Sequence, residues 1–383
     1  MHDDDTNDHN DTQKSSATSG LSRRDVIRAG GLVAAAGLGS AVLTAEAKPG
    51  NGNPPPFQTQ VFPKYYPLSN FTPEISLAGK FAVITGASRG IGRATAEALI
   101  AQGVTVIGTS RDVATVPNPP AFPLLDLDIT SDASVDAFHA ALTSHPSYPD
   151  QIDILINNAG RYIIGTPTPP PIAPNPNQFY IDQLNLGGET IYQGHIRVTN
   201  KLLPLMTPSG YSRLLYTVSV AGYLAGGTAT SSALGVWGLH AYFAGKSALR
   251  FYANNLGGFL GVSGSNIKVS TVNPFVIDTT LPDGLNPVFT EPVDANGDSP
   301  FNPVLQAVLD GLRFNQHNGL PVSFVADTYV QLLSVAAPEP NVAVGSPDEP
   351  FATMGGTDFI KAGALEENEE SVLAYGCAPP GQS

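Results

Sequence analysis

A tyrosine and a lysine four positions apart are the residues of this sequence whose chemistry is easiest to state. Tyr242 and Lys246 stand in the run Tyr-Phe-Ala-Gly-Lys, within a segment, 240–260, that has a helical pattern. This spacing places both side chains on one face of a helix, where the ammonium can favour the phenolate form of the tyrosine. A free phenol has a pKa near ~10, so such activation lets it exchange a proton near neutral pH. The pair therefore predicts a general acid/base.

A serine that follows a predicted strand is the candidate partner of this pair. Ser219 comes directly after the β-branched and apolar run 213–218, and 23 positions before Tyr242. Its hydroxyl is expected to orient the oxygen of a substrate beside the tyrosine. Ser231 and Ser232 lie in the Gly-rich stretch between them and are alternative hydroxyls. We favour Ser219 because only it has the strand-end context.

A glycine-rich run follows the first predicted strand, 81–85, and begins a predicted helix, 90–102. Glycines there let the chain turn tightly, so that backbone N–H groups can approach a pyrophosphate at the helix N-terminus. The pattern predicts a dinucleotide site. Its expected contacts are Gly86, Ser88, Arg89, Gly90, Ile91 and Gly92.

Two arginines bear on which dinucleotide binds. Arg89 lies inside the glycine-rich run, and Arg111 follows the second predicted strand, where an acidic residue would bind the ribose 2′-hydroxyl of NAD. Guanidinium groups suit a 2′-phosphate, which a carboxylate would repel. The prediction is therefore a preference for NADP(H) over NAD(H), which Asp112 would weaken if it reached the ribose.

In this order and spacing, the motifs resemble those of the short-chain dehydrogenase/reductase family, over about residues 74–345. The resemblance implies an NADP(H)-dependent oxidoreductase that interconverts a carbonyl and an alcohol, with Asn185 as a fourth catalytic residue that holds a water in a relay through Lys246. It also implies further cofactor contacts, in which Asp128-Ile129, expected at the end of the third strand, is the pair that contacts the adenine, with Asp126 as an alternative register for Asp128. These contacts are Asp128, Ile129, Asn158, Ala159, Gly160, Pro274 and Thr279.

Short apolar, β-branched runs alternate with helical patterns along the middle of the chain. Further strands are predicted at 104–108, 152–156 and 267–272, with a last one near 342–345, and further helices at 132–143 and 189–206. Near-continuous apolar strands separated by helices predict an α/β fold, a doubly wound parallel sheet of Rossmann-like type in a single domain. The chain also has Pro-rich insertions, including a substrate loop at about 280–324, whose Phe289, Phe301 and Phe314 favour an apolar substrate.

The ends of the chain have a different composition. Residues 1–47 contain Arg23-Arg24, an apolar stretch over 29–44 and Ala45-Glu46-Ala47, which together predict a twin-arginine signal peptide and hence export to the periplasm with the twin-arginine translocase as a partner. The alternative is a membrane anchor at 29–44, although that run is short for a spanning helix. Residues 48–73 form a Pro/Gly-rich arm, and 346–383 a C-terminal tail.

Composition excludes several other classes of protein. A net charge of −14 argues against nucleic acid as a partner, and the single Cys377 excludes an internal disulfide. The histidines His139, His195, His240 and His317 show no metal-ligand spacing and are interpreted as surface or packing residues; no metal is predicted. Two alternatives remain: an NADP-binding regulatory protein of the same fold, and a lyase or epimerase that uses bound nicotinamide. The sequence also leaves open whether the protein forms a homo-oligomer.

Overall fold

A parallel β-sheet organises the computed structural model, which describes residues 71–146, 148, 150–163, 176–206, 210–222, 239–283, 313, 316–317 and 319–344. Its seven strands lie side by side in the order β3-β2-β1-β4-β5-β6-β7, and every neighbouring pair is parallel. This confirms the predicted doubly wound sheet. The strands are β1 Phe81–Ile84, β2 Thr105–Ser110, β3 Leu124–Asp126, β4 Ile154–Asn157, β5 Ser212–Thr217, β6 Ile267–Pro274 and β7 Asn341–Val344.

Helices connect the strands and cover both faces of the sheet. A π-helical segment, Gly188–Gln193, joins the third helix to the fourth, and a 3₁₀ turn, Leu203–Leu205, follows the fourth. None of the helices in the described ranges is both long enough and apolar enough to cross a bilayer. The helices are α1 Gly90–Ala101, α2 Asp132–Ser144, α3 Pro176–Gly187, α4 Gly194–Leu202, α5 His240–Val262 and α6 Val322–Leu333.

Two apolar layers hold the sheet between these helices. On one face α1 and α6 pack together and bury Leu99 and Tyr329, and on the other α2, α4 and α5 bury Phe138, Leu202 and Leu249. All residues of β1 and β4 are buried, which explains why these strands are apolar, apart from Asn157 at the end of β4, rather than alternating. Each fully buried large side chain contributes about 1.5–3 kcal/mol to folding.

The order of the strands determines where a ligand can bind. Chain order reverses between β1 and β4, so the connections that leave their carboxyl ends run to opposite faces and leave a crevice at that edge. The glycine-rich run after β1, the loop after β4 and the residues after β5 all begin at this edge.

Two predicted elements differ from those observed. The helix predicted at 189–206 belongs to a longer helical stretch that begins at Pro176 and changes to π geometry at Gly188. Gly187 there lies so close to α5 that an added Cβ would be 2.8 Å from the Ala241 oxygen. The third strand ends at Asp126, not at Asp128-Ile129 as predicted. The Asp126 carboxylate accepts a hydrogen bond from Val113 N (2.7 Å), and the chain then continues towards α2.

Candidate active site

The glycine-rich run forms a tight turn between β1 and α1. Gly86 and Gly90 have φ values of +67° and +56°, a conformation that favours glycine. A Cβ at Gly92 would clash with the Gly86 oxygen and lie 2.5 Å from Asn158 Nδ2. No side chain caps the N-terminus of α1. The first N–H groups of that helix are therefore available to an anionic ligand.

Asn158 ties three strands together at this edge. Its Nδ2 donates to the carbonyl oxygens of Thr85 and Gly86, both at 3.1 Å, and its Oδ1 accepts from Thr217 Oγ1 at 3.0 Å. Thr85 Oγ1 accepts from the backbone N–H groups of Asn158 and Ala159. The Asn158 side chain thus braces the loop, and its position leaves the exposed Gly160 facing the crevice.

Three guanidinium groups lie near the dinucleotide side of the crevice without a carboxylate partner. Arg89, Arg111 and Arg161 are exposed, and none of them forms a salt bridge within the described ranges. Partial burial and the nearby charge of Arg111 lower the pKa of Arg161. Two like charges held close together without a counter-charge favour binding of an anion. Asp112, in contrast, accepts a hydrogen bond from Ala114 N (3.1 Å) and caps its own turn.

The adenine contacts implied by the resemblance have local structural roles. The Asp128 carboxylate accepts from Thr130 N (2.9 Å) and Thr130 Oγ1 (2.7 Å), which shapes the turn before α2. Ile129 is buried, and its carbonyl accepts from Arg197 Nη1 at 3.0 Å. Both residues lie beyond the end of β3.

Ser219, Tyr242 and Lys246 come together at the other end of the crevice. Tyr242 is 7% exposed, and its pKa is raised to about 12 by burial, while a hydrogen bond with Ser219 lowers it. Ser219 Oγ also donates to the Pro274 oxygen (3.3 Å) and accepts from Ala221 N (3.1 Å). The Ser219 hydroxyl thus favours the phenolate form of Tyr242.

Lys246 is buried beneath the tyrosine. Its side chain is 4% exposed, and burial lowers its pKa to about 7. The Nζ atom donates to the Thr217 oxygen at 2.8 Å and lies 5.7 Å from the centroid of the Tyr242 ring. A Cβ at Gly160 would be 3.9 Å from the same Nζ, so the lysine also reaches the loop after β4.

Asn185, the fourth catalytic residue that the family resemblance implies, is exposed. It lies on α3, before the π-helical segment, and no hydrogen bond of its side chain is found within the described residues. Two residues of this stretch that approach α5 are Gly187, next to Ala241, and Ile191, which packs against Gly245; His195, further along, is fully buried. The sequence analysis interprets His195 as a surface or packing residue, because a single histidine without metal-ligand spacing carries no pattern that indicates a functional role.

A polar chain crosses the substrate side of the crevice. The Tyr162 ring lies 4.8 Å from that of Tyr242, and its hydroxyl donates to Gln316 Oε1 at 3.1 Å. Gln316 Nε2 donates in turn to Thr279 Oγ1 at 3.0 Å. Thr279 approaches the glycine-rich run, since a Cβ at Gly90 would be 3.6 Å from its Cγ2. The sequence analysis did not single out Arg161, Tyr162 or Gln316. Arg161 and Tyr162 directly follow the loop after β4, and this position could have marked them as candidate site residues. Gln316 belongs to no recognisable motif.

Several predictions fall outside the described residues. These include Ser231 and Ser232, the signal peptide and arm at 1–70, most of the substrate loop, and the tail from 345 onwards. Within the described part of the chain, no group of His, Cys, Asp and Glu side chains has the arrangement of a metal site.

Comparison with known proteins shows the family of this chain. The family described as short chain dehydrogenase matches residues 80–287, more than half of the chain. An uncharacterised oxidoreductase of Staphylococcus epidermidis is 26% identical over 211 residues, 54% of this chain and 81% of the relative. A serine 3-dehydrogenase of Agrobacterium fabrum is 30% identical over 203 residues, 51% of this chain and 72% of that protein.

Solved structures share the fold. A short-chain dehydrogenase from Streptomyces avermitilis matches 79% of this chain and 100% of its own length, with a TM-score of 0.54 and 24% identity. A short chain dehydrogenase/reductase from Burkholderia phymatum in complex with NAD covers 77% of this chain and 97% of its own, with a TM-score of 0.58 and 19% identity. At these identities the likeness shows the fold alone.

Proposed function

Because the chain belongs to the short-chain dehydrogenase/reductase family, a family of oxidoreductases, we propose that it interconverts a carbonyl and an alcohol with NADP(H) as the cofactor. The observation that carries this proposal is the meeting of Ser219, Tyr242 and Lys246 at the carboxyl edge of the sheet, next to the glycine-rich run. A site built only to bind a nucleotide would not need a buried phenol that is hydrogen-bonded to a serine. This favours an enzyme over a regulatory protein of the same fold.

The crevice fits a nicotinamide dinucleotide. The close packing at Gly86 and Gly92 and the uncapped start of α1 suit its pyrophosphate, and Thr279 and Lys246 are suited to its nicotinamide side. When bound, the cofactor supplies or accepts the hydride.

The protein's own groups handle the proton. During reduction, Tyr242 would donate its proton to the substrate oxygen, which takes the bonding electrons of the carbonyl as its carbon is reduced. Ser219 would hold that oxygen next to the phenol, and its hydrogen bond stabilises the phenolate that is left. Low exposure of Tyr242 and Lys246 keeps water from competing for these contacts.

The unpartnered arginines support NADP(H) over NAD(H). Arg89 and Arg111 are the residues that the sequence predicts to bind a 2′-phosphate, and Arg161 adds a third guanidinium group close to Arg111. A doubly charged phosphate relieves the repulsion between these cations, whereas a 2′-hydroxyl does not. The apolar cluster around Tyr242, which includes Ile163, is consistent with an apolar substrate.

A panel of carbonyls and alcohols, graded from polar to apolar and followed by NADPH absorbance, tests the proposed function. We expect turnover of at least one aldehyde, ketone or alcohol by the purified protein, with apolar members preferred. If NADPH binds but no member of the panel is turned over, the regulatory alternative gains support.

We also propose export to the periplasm by the twin-arginine route, on the strength of Arg23-Arg24 and Ala45-Glu46-Ala47. Replacing both arginines with lysine should leave full-length protein in the cytoplasm, measured by fractionation and immunoblot. A variant in which Lys14 and Arg28 are replaced instead is the matched control and should be exported. Export that survives the change of both Arg23 and Arg24 would contradict the proposal.

A further inference from the structure

Gln316 is a buried polar side chain that the chemistry above does not use. It is 7% exposed and lies inside the predicted substrate loop, 280–324. Backbone hydrogen bonds fix the segment that carries it: Leu320 N donates to the Val276 oxygen at 3.0 Å, and Asp278 N donates to the Leu320 oxygen at 2.8 Å. Gln316 is thus held next to the chain that leaves β6 by a short parallel bridge.

The orientation of the Gln316 amide is determined by one neighbour. The backbone oxygen of Ile277 can only accept a hydrogen bond, and it accepts from Gln316 Nε2. The reversed amide would bring two oxygen atoms together, so this contact decides which end is the NH₂ group. The second N–H of Nε2 donates to Thr279 Oγ1 at 3.0 Å. Gln316 Oε1 therefore accepts from the Tyr162 hydroxyl, 3.1 Å away.

This orientation leaves the Thr279 hydroxyl with one remaining capacity. A hydroxyl has two lone pairs and one proton. Thr279 Oγ1 accepts from Gln316 Nε2 and from the backbone N–H of Leu281, the latter at 3.3 Å, so both lone pairs are occupied. Among the residues that the structure describes, no acceptor is found for its proton. The hydroxyl can therefore donate to a ligand but cannot accept from one.

Thr279 lies where its proton can reach the cofactor. It is partly exposed, and a Cβ at Gly90 in the glycine-rich run would be 3.6 Å from its Cγ2. The proposed function assigns this end of the crevice to the nicotinamide, whose carboxamide has an oxygen that accepts and an NH₂ group that donates. A hydroxyl with a free lone pair can bind either of them. A hydroxyl that only donates is restricted to the oxygen.

We propose that Gln316 is a positioning residue that makes Thr279 a hydrogen-bond donor only, so that the protein selects the nicotinamide carboxamide by its oxygen. The inference rests on the proposed function and adds the chemical basis of selection at the nicotinamide end. The same amide also holds Tyr162, whose ring lies 4.8 Å from that of Tyr242. One residue of the substrate loop thus fixes a side chain beside the acid/base and a side chain beside the cofactor.

Two cofactor analogues separate the carboxamide oxygen from its amino group. The 3-acetylpyridine analogue of NADP⁺ keeps the oxygen and has a methyl group in place of the amino group. The thionicotinamide analogue keeps the amino group and has sulfur, a weaker acceptor, in place of the oxygen. The parent protein should bind the thionicotinamide analogue about 2- to 10-fold more weakly than the acetylpyridine analogue, the range for one neutral hydrogen bond. Calorimetric titration measures both dissociation constants without turnover.

Gln316→Glu removes the group that directs Thr279. A carboxylate can only accept, and a protonated carboxyl has a single proton, which the Ile277 oxygen takes. One lone pair of Thr279 is then free to accept from the amino group, so the preference for the acetylpyridine analogue should disappear or reverse. Gln331→Glu is the matched control for a buried carboxyl group, because Gln331 on α6 is 8% exposed, and it should keep the parental preference.

Further variants separate this role from a structural one. Tyr162→Phe removes one bond to Gln316 but leaves the Ile277 oxygen to orient the amide, so the preference between the analogues should stay as in the parent. Thr279→Val removes the hydroxyl and should abolish the preference. Thr279→Ser keeps the hydroxyl and should retain it. A merely structural role of Gln316 would change the Tm and the affinity for both analogues together, without changing their ratio.

Several results would overturn the inference. The first is a parent protein that binds the two analogues equally or prefers the thionicotinamide analogue. The second is a Gln316→Glu variant that melts cooperatively and keeps the parental ratio. If that variant does not fold, Thr279→Val decides, because a preference that survives without the hydroxyl does not come from Thr279. A parent protein that binds neither NADPH nor either analogue would instead refute the proposed function.

Discussion

The two ends of the crevice differ in how far their charged groups are withdrawn from water. At the dinucleotide end, Arg89 and Arg111 are exposed and have no carboxylate partner in the described ranges. At the chemical end, Tyr242 and Lys246 are 7% and 4% exposed, and burial raises the pKa of one and lowers that of the other. The guanidinium groups at the first end therefore stay exposed to solvent, where an anion can reach them. At the second end, burial favours the neutral forms of the phenol and the amine.

This difference predicts different consequences of substitution. An exposed guanidinium retains its charge whatever its neighbours do, so removing it should alter binding and little else. A buried phenol or amine has a pKa set by its surroundings, so removing it should alter chemistry, the pH dependence of stability, or both.

The largest expected effect is at the phenol. Tyr242→Phe keeps the ring and its packing against Tyr162 but removes the proton donor. Since general acid/base catalysis contributes typically ~10²–10⁴-fold, kcat should fall by about that range, while the dissociation constant for NADPH stays within about twofold. Tyr148→Phe, outside the crevice, is the control. Near-parental turnover by Tyr242→Phe would show that another group is the acid.

An intermediate effect is expected at the exposed end. Arg111→Asp should weaken NADPH binding by about 10- to 100-fold, as for the loss of a charge-assisted contact, and should narrow or reverse the preference over NADH. The dissociation constants of NADPH and NADH are measured by titrating each cofactor into the protein and following the fluorescence. Arg93→Ala is the control, since Arg93 is already paired with Glu97 at 2.9 Å. If the parent protein binds NADPH and NADH with equal affinity, the proposed preference for NADP(H) is wrong.

The smallest expected effect concerns stability. The Lys246 pKa is about 7 in the folded protein and near ~10.4 when unfolded, so the unfolded chain binds more protons between these values. Stability of the cofactor-free protein should therefore rise with pH across that window. Lys246→Met should flatten this dependence and raise Tm by a few degrees near pH 7, measured by calorimetry. A parallel pH profile in the variant would contradict the buried position of the ammonium. Lys268→Met is the control.

Residues next to each other in sequence were predicted more successfully than residues that meet through folding. Tyr242 and Lys246 share a helix, as their spacing of four required, and Gly86 and Gly90 adopt the positive φ values expected of a tight turn. The third strand ends two residues earlier than predicted, at Asp126, whose carboxylate accepts a hydrogen bond from Val113 N, 13 positions earlier in the chain.

The sequence by itself determined the alternation of strands and helices and the order of the chemical groups along the chain, because these follow from local spacing and from runs of apolar residues. Only the tertiary structure decided which side chains lose water. It buried His195 on α4 and left Asn185 exposed on α3, although the two residues are separated only by one short π-helical segment. Burial depends on contacts between distant segments, and it is burial that sets the protonation of the groups at the site.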